Sequence, residues 1–425
     1  MADTLYFTRD TKCYIEFSNT VWEIPVLDGF GFSQATNSTE ITINEAETTG
    51  GVSKRGRRAF NDSLAPGEWS ISTYARPFVS AGSGTGAADG AAEVHAVEEV
   101  LWAMMAGASA YASNAFTDVT TPAGSTSIID FSESNKGSLS TFNMYFVVGD
   151  HGTSSAVRKV YKLADCTVNE ASVDFDIDGI TTINWTGNST TISDFTGSTI
   201  ENATTPDGGN GDNNNDGDAV ADGDVWLDSD DGYRLYVMTS ASAATAVIYE
   251  GVSSTTNFIR NRLTSMTVSA HTDHTGQSAL QGASAGASGG YVLTITGGNV
   301  TFSNNITYLT PETLGQVNSP IAHITSTRAV SGNFTCYLTD SATATDSQSF
   351  YADLASITSV VTNKFKITMN VGGTTAPFLK FIMPQCHIEI PTHDVGDLIS
   401  LNTEFMALPS TIDATDEATI TYGAS

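Results

Sequence analysis

Basic residues are scarce in this sequence. Of its 425 residues, 18 are Lys or Arg and 47 are Asp or Glu, which gives a formal net charge of −29. Nucleic-acid backbones and anionic membrane surfaces are bound through Lys and Arg side chains. The balance therefore argues against a protein that grips nucleic acid or docks on such membranes, although it permits a surface past which DNA slides.

Cysteine and long apolar runs are scarce as well. The cysteines are far apart and form no CxxC pair, so we expect reduced, buried apolar residues at Cys13, Cys166, Cys336 and Cys386. The first residues, MADTLYFTRD, lack the basic flank and the apolar run of a signal peptide, so we expect no export signal. No stretch approaches the ~18 consecutive apolar residues of a membrane helix.

Short segments of alternating polarity fill much of the chain. Only 15% of the residues are charged, and Gly, Ser, Thr and Asn separate the segments at turn-like spacing. In the segment GEWSISTY, the side chains of Trp69, Ile71 and Thr73 alternate with polar neighbours, which is the pattern of a half-buried strand. The composition and this alternation predict a mainly β fold.

Two segments have helical spacing instead. Residues 91–107, AAEVHAVEEVLWAMMAG, place apolar side chains on one stripe and end in glycine, so we predict a long amphipathic helix packed on a sheet. The stripe consists of Val94, Val97, Leu101, Met104 and Met105. A shorter helix is predicted within TDSQSFYADLASI, with Phe350, Leu354 and Ile357 as its apolar stripe.

The two halves of the chain share an ordered set of similar segments. IEFSN (15–19) matches VTFSN (300–304), and GEWSI (67–71) matches GNFTC (332–336). VYKLADCTVNEASVDFD matches LKFIMPQCHIEIPTHDV through Cys166 and Cys386. Strand, helix and strand pair follow in the same order in both halves, which predicts two tandem β units, each with one helix.

One basic cluster stands out in the acidic chain. Lys54, Arg55, Arg57 and Arg58 lie in a polar loop, KRGRR. The cluster is either a solvated charge run or a contact with an acidic neighbouring surface, which another copy of this protein provides.

Other motifs carry little chemistry. DNNNDG, from Asp212 to Gly217, matches the front of a calcium loop, but Gly223 occupies the position of the bidentate Glu, and we favour a plain linker. The segment CHIEIPTHD could hold a metal, but alternation on a strand separates Cys386 from His387 and Glu389. A G-x-S-x-G match at 282–286 lacks the flanking strand and helix of a nucleophile elbow. We therefore predict no catalytic residue, no metal and no cofactor.

This organisation resembles the tail tube proteins, or major tail proteins, of long-tailed bacteriophages. The resemblance is carried by the strand and helix of residues 69–107, the paired strands of residues 160–185, and their counterparts in residues 379–408. It implies two fused tail-tube-like β-sandwich domains at 1–203 and 291–425. Between them, residues 204–290 form an acidic linker and a small β-rich insertion.

The resemblance also implies a function. A tail tube protein self-assembles into stacked rings whose inner strands form a barrel that conducts viral DNA. Six units make a ring in that family, so two units per chain imply trimers with pseudo-sixfold walls. The KRGRR loop would contact the next ring. Further implied partners are a tape measure protein and the tail terminator and tip proteins, in a virion assembled in the host bacterial cytoplasm.

The composition is also compatible with two other classes of protein. A secreted β-sandwich adhesin or carbohydrate-binding protein would have a similar strand pattern, but it needs an export signal. A glycosidase on β domains needs two placed carboxylates in a cleft, and nothing in the sequence singles out such a pair.

Overall fold

The computed structural model describes residues 6–41, 58–80, 93–112, 115–117, 119–122, 124–131, 137, 139–149, 158–244, 247–248, 255–270, 290–314, 317–340, 345–356, 365–412 and 414–424. Within these residues the chain is mainly β, as its sequence predicts, with short helices packed on antiparallel sheets. No helix among them is both long and apolar enough to span a membrane.

The strands up to residue 203 are β1 (Thr11–Phe17), β2 (Thr20–Ile24), β3 (Gly31–Ser33), β4 (Thr36–Ile41), β5 (Arg58–Leu64), β6 (Gly67–Tyr74), β7 (Pro77–Val79), β8 (Val94–Ala96), β9 (Tyr111–Ala112), β10 (Ala115–Phe116), β11 (Thr120–Pro122), β12 (Thr126–Ile129), β13 (Phe142–Val148), β14 (Lys159–Asp176), β15 (Thr182–Ser189), β16 (Thr191–Asp194) and β17 (Thr199–Asn202).

The strands that follow are β18 (Val225–Asp228), β19 (Arg234–Ser240), β20 (Ala243–Ala244), β21 (Val247–Ile248), β22 (Ser265–Ala270), β23 (Tyr291–Leu293), β24 (Ile295–Ser303), β25 (Ile306–Leu309), β26 (Ala322–Thr325), β27 (Ala329–Tyr337), β28 (Phe365–Val371), β29 (Phe378–Ile388), β30 (Thr392–Val395), β31 (Ile399–Ala407) and β32 (Thr419–Gly423). The described α-helices are α1 (Glu99–Ala106) and α2 (Ser347–Ser356).

One antiparallel sheet, which we call the spanning sheet, runs through both halves of the chain. Its strands lie in the order β3, β6, β15, the second part of β14 (167–176), β24, β27, β31, and finally the end of β29 with β30. Along β6 the predicted alternation is confirmed, since Trp69 and Ile71 are buried while Glu68 and Ser70 are exposed. The spanning sheet therefore has one apolar and one polar face.

Each half adds a second sheet that encloses the apolar core. In the first half this sheet consists of β2, β1, β13, the first part of β14, and β16. In the second half it consists of β23, β22, β28, β29, β32 and β12. Because β14 and β29 each belong to two sheets, a single long strand turns the corner of each sandwich.

The hairpins around Cys166 and Cys386 have the same geometry. Cys166 is paired with Phe142 in β13, Cys386 is paired with Phe365 in β28, and in both hairpins the register shifts directly beyond that pair. Each Sγ donates to the carbonyl oxygen three residues earlier, at 3.4 and 3.8 Å. The cysteines are buried and reduced, as expected, and they mark equivalent positions of the two units.

The residues two positions after these cysteines, Val168 and Ile388, lie beside equivalent pairs of an aromatic residue and a glycine. Trp69 in β6 is opposite Gly187 in β15, and Gly332 in β27 is opposite Phe405 in β31. The ring and the glycine have therefore exchanged strands between the units. The structural counterpart of Trp69 is therefore Gly332, so the predicted match of Trp69 with Phe334 is two residues out of register. The two aromatic residues occupy different positions along equivalent strands.

The predicted match between IEFSN and VTFSN is wrong. β1 pairs with β2 and β13, whereas β24 pairs with β14 and β27. The counterpart of β1 is β22, since Ile15 lies opposite Met144 of β13 as Val268 lies opposite Ile367 of β28. Both matched segments bury alternate apolar side chains, and that shared period misled the comparison.

The first helix is shorter than predicted. Residues 94–96 form β8, which pairs with β7, and α1 begins only at Glu99. Gly107 ends the helix with φ 89°, as the sequence predicts. Every residue of α1 is buried, so the helix has no solvent-facing side. Val94 lies in β8 and Val97 in the turn before α1, and both are buried there. The second helix, α2, is capped by Asp346, whose carboxylate accepts the Ser349 amide at 2.8 Å.

Part of the middle segment forms a small sheet on the first unit. β18 pairs with β17 and β19, and residues 231–232 lie in the β18–β19 turn. The buried guanidinium of Arg158 lies 3.1 Å from the ring centroid of Tyr233 and 2.8 Å from the Glu201 carboxylate. The small sheet is therefore attached through a desolvated cation–π contact and a charge pair.

The division into residues 1–203, 204–290 and 291–425 stays a prediction. β22 lies in the middle segment but pairs along its length with β28 of the second unit.

The glycine beneath Trp69 gives a testable prediction. A Cβ on Gly187 would overlap both the Trp69 ring and the Thr167 carbonyl oxygen. Gly187→Ala should therefore lower the free energy of unfolding by about 1–3 kcal/mol, the usual cost of overpacking. The control is Gly31→Ala in the same sheet, where the nearest atom to a new Cβ is 3.8 Å away. Denaturant unfolding of the unassembled chain measures both, and equal losses would contradict the packing described.

Candidate functional site: the acidic face of the spanning sheet

The polar face of the spanning sheet is continuous across the two units. Along β6, β15, the second part of β14, β27 and β31, the side chains on this face are exposed or half-buried, while most of the side chains between them are buried. Most of these side chains are Ser, Thr or Asn. The carboxylates among them are Glu68, Glu170, Asp174, Asp176, Glu389, Asp394 and Glu404. We call this surface the acidic face.

No strand of the spanning sheet contributes a Lys or Arg within residues 31–33, 67–74, 167–176, 182–189, 295–303, 329–337, 386–395 and 399–407. Lysines occur instead on the strands of the second sheets, at Lys12, Lys159, Lys162, Lys366 and Lys380. Acids occur on both kinds of sheet, but the strand lysines are confined to the second sheets. A phosphate group at this face would meet carboxylates, neutral polar groups and the exposed His387, but no Lys or Arg from these strands.

Hydrogen bonds between strands hold the side chains of this face in place. Asn184 Nδ2 donates to Asp174 at 2.9 Å, and Ser72 Oγ donates to Asn184 Oδ1 at 2.7 Å. Across the junction between the units, Thr301 Oγ1 donates to Ser172 Oγ at 3.3 Å. The junction is therefore continuous in side chains as well as in backbone pairing.

One residue of the predicted basic site, Arg58, lies on the hairpin formed by β4 and β5. β4 and β5 pair from Thr36 opposite Leu64 to Ile41 opposite Arg58, and both strands are exposed over most of their length. Arg58 is the first residue of β5 and is exposed. Lys54, Arg55 and Arg57 lie outside the described residues.

A second hairpin occupies the equivalent place in the other unit. β25 and β26 follow β24 and precede β27, as β4 and β5 follow β3 and precede β6. This hairpin exposes apolar side chains, among them Leu309, Leu314, Val317, Ile321 and Ile324. The hairpins touch, because the Leu64 amide donates to the Asn318 carbonyl at 2.7 Å and the Asn318 amide donates to the Asp62 carbonyl at 3.2 Å.

The other sequence motifs are not brought together into sites. Cys386 is buried, whereas His387 is exposed on the opposite face of β29, and His393 packs edge-on against Tyr351 of α2 at 4.7 Å. The Asp212 carboxylate accepts the Asp207 amide at 2.9 Å. Among the described residues, no group of three or more His, Cys, Asp or Glu side chains could hold a metal ion. The G-x-S-x-G segment at 282–286 lies outside the described residues.

A buried acidic cluster beside α1 was missed from the sequence. Tyr422 Oη of β32 donates to Glu98 at 2.6 Å and accepts from Trp102 Nε1 at 2.8 Å, while Glu99 lies 3.2 Å from His95 Nδ1. Burial raises the pKa of Glu98 to about 7, although the Tyr422 hydrogen bond opposes that rise. The histidine and both glutamates are at most 1% exposed, so the cluster ties the C-terminal strand to α1 and offers no access to a substrate.

These observations define a class before any comparison. The chain is mainly β, a cysteine-centred hairpin recurs in both halves, and the strands of the sheet that joins the halves carry no Lys or Arg. No family model matches the chain. It is 26% identical, over an alignment of 431 residues, to "Tail tube protein pb6" of Escherichia phage T5, and the alignment covers 99% of this chain and 76% of that protein. The resemblance to tail tube proteins of long-tailed phages is thereby confirmed.

The raised pKa of Glu98 predicts a pH-dependent stability. Glu98 keeps its proton in the folded chain up to about pH 7 but loses it near pH 4.5 when unfolded, so its contribution to stability falls as pH rises between these values. Glu98→Gln, which cannot ionise, should be more stable than the natural chain by up to about 3 kcal/mol at pH 8 and nearly equal to it near pH 4.5.

Denaturant unfolding at pH 5 and pH 8 measures this difference. Glu68→Gln on the acidic face is the control and should leave the pH dependence unchanged. A Glu98→Gln effect of the same size at both pH values would contradict the role assigned to burial.

Proposed function

We propose that this chain is a structural protein of a phage tail tube, in which acidic faces line a channel that conducts DNA. The observation that carries the proposal is the acidic face, whose strands continue across both units without a Lys or Arg. The similarity to a tail tube protein supports the structural role. No enzymatic activity is proposed.

Ring formation by three chains follows from the two units. The units of one chain are joined strand to strand by β14 and β24, over seven residue pairs. If each junction between chains repeats this relation, three chains supply six units and the spanning sheets close into one barrel without open edges. Tape measure, terminator and tip proteins stay predicted partners, and assembly in the host cytoplasm stays a prediction.

The stoichiometry is tested by cryo-electron microscopy of the purified, assembled protein. We expect rings or tubes with threefold symmetry and six similar wall units, whose acidic faces point inward. Six chains per ring would overturn the trimer, and a globular monomer at every concentration would overturn the tube.

DNA conduction predicts what happens when the face is made basic. Tubes of the triple variant Glu170→Lys, Asp174→Lys, Asp176→Lys should retain a short fluorescent DNA duplex at about 50 mM salt and release it at about 300 mM, because bound phosphates displace counterions. Natural tubes should retain none, as measured by co-sedimentation.

The matched control changes the same charge elsewhere. The control is the triple variant Asp218→Lys, Asp222→Lys, Asp230→Lys, which alters exposed residues of the middle segment. Tubes of this variant should retain far less duplex. Equal retention by the two triple variants would show that the placement of acids on this face does not matter.

The basic hairpin is proposed to contact the adjacent ring. Replacing Lys54, Arg55, Arg57 and Arg58 by Ser should leave rings folded but shorten tubes, because each exposed charge pair contributes about 0.2–1 kcal/mol and several are lost per ring. Lys366→Ser with Lys380→Ser on the second sheet is the control. Tubes of normal length at raised salt would show that the cluster is only a solvated charge run.

A further inference from the structure

The two units of one chain are joined by pairing between a strand of each unit. Within the chain, residues 170–176 of β14 pair antiparallel with residues 303–297 of β24. Val173 faces Val300 in the core, and both are fully buried. Ser172 faces Thr301 on the acidic face. The outer edge of the first unit is thus covered by the first strand of the second unit's part of the spanning sheet.

The same outer edge exists in the second unit, in the same register. Ser172 and Asp174 are opposite Asn184 and Thr182 of β15. Thr392 and Asp394 are opposite Asn402 and Ser400 of β31. The register shifts by one residue between Val168 and Glu170, and by one residue between Ile388 and Thr392. Counting from Cys166 and Cys386 in parallel, Thr392 takes the place of Ser172.

The covering strand has a counterpart as well. β24 pairs with β27 on the side away from β31, and β3 pairs with β6 on the side away from β15. The aromatic–glycine pairs set the register between them, because Val300 is opposite Gly332 and Phe32 is opposite Trp69. Phe32 therefore takes the place of Val300, and Ser33 takes the place of Thr301.

Both counterpart edges are open. Among the described residues, no strand pairs with the outer side of β3 or with the outer side of residues 390–395. The second edge exposes apolar side chains, with Ile390 at 58% and Val395 at 75% exposure. An edge of this length with exposed apolar side chains normally acquires a partner strand.

We propose that residues 390–395 of one chain pair antiparallel with residues 30–35 of a second copy, with Thr392 opposite Ser33 and Asp394 opposite Gly31. The inference rests on the proposed tube function and names the surfaces that close its ring. Val395 then lies opposite Phe30, whose ring stacks on Phe146 at 5.3 Å in the core. The exposed valine is covered by the neighbour's aromatic cluster.

The proposed junction also continues the acidic face. Thr392 and Ser33 stand where Ser172 and Thr301 stand inside the chain, and Asp394 stands where Asp174 stands. The edges differ from one another, so the contact is heterologous and runs head to tail, and it closes only as a ring.

The test is a disulfide between the chains. Directly opposed residues in antiparallel strands have Cα atoms about 4.5–5.5 Å apart, within the range of a disulfide. Tubes of Ser33→Cys with Thr392→Cys, oxidised and run on a non-reducing gel, should give covalent dimers and a closed covalent trimer. Either single variant should give neither, because the natural cysteines are buried.

Two controls fix the register. Ser172→Cys with Thr301→Cys is the equivalent pair inside one chain and should oxidise while the chain stays a monomer on the gel. Ser33→Cys with Asp394→Cys is displaced by two residues and should link far more slowly. Equal or faster linking of the displaced pair would overturn the register.

A second variant tests the edge without engineered cysteines. Val395→Asp should leave the chain folded but prevent rings, because it buries a charge against Phe30 of the neighbour, whereas Val395→Ile should assemble normally. Normal rings from Val395→Asp would overturn the proposed edge and leave the tube function intact. Absence of rings from the natural chain would overturn the tube function itself, and a covalent ladder longer than three chains would overturn only the trimer.

Discussion

The pairing of open strand edges is the constraint on which this structure depends. A strand edge presents unpaired amide and carbonyl groups, and a long sheet must cover them or close on itself. Here β14 leaves the second sheet, turns at Cys166 and enters the spanning sheet, where β24 covers its outer edge. β29 repeats the turn at Cys386. The two sandwiches, the shared sheet and the continuous acidic face all follow from this one strand-to-strand junction.

Charge segregation depends on the alternation of strand side chains. In β15, Ile183 and Trp185 enter the core while Asn184 and Thr186 stay on the acidic face, so core packing and surface chemistry are specified by alternate positions. At ordinary salt concentration, screening limits the electrostatic range of each carboxylate to about 10 Å. A surface that repels phosphate along its whole length therefore needs its acids spread over many strands and no cation among them, and this is the distribution that the spanning sheet shows.

The parts of the fold that could be predicted are those set by local pattern. The alternation in β6 and the cysteine-centred match of β14 with β29 each involve a long run in which every second residue is constrained. The helix over residues 91–107 was overextended because Val94 and Val97 suit a buried strand and turn as well as they suit a helix, and only tertiary packing decides between them. The carboxylates of the acidic face could not be identified from the sequence. The sequence does not tell which of the two sheets a strand joins, and β14 joins both.

We infer that joining two units in one chain allows their residues to differ. A junction inside one chain forms at high effective concentration, so its strands need to match only each other. The internal junction pairs Phe175 with Gly298, whereas the equivalent positions of the proposed junction hold Val395 and Phe30, so the aromatic ring lies on the opposite strand. The hairpins have diverged in the same way, one carrying a basic cluster and the other exposed apolar residues. The exchanged ring and glycine at Trp69–Gly187 and Gly332–Phe405 show that each unit has kept the packing requirement of the shared sheet while changing the residues that meet it.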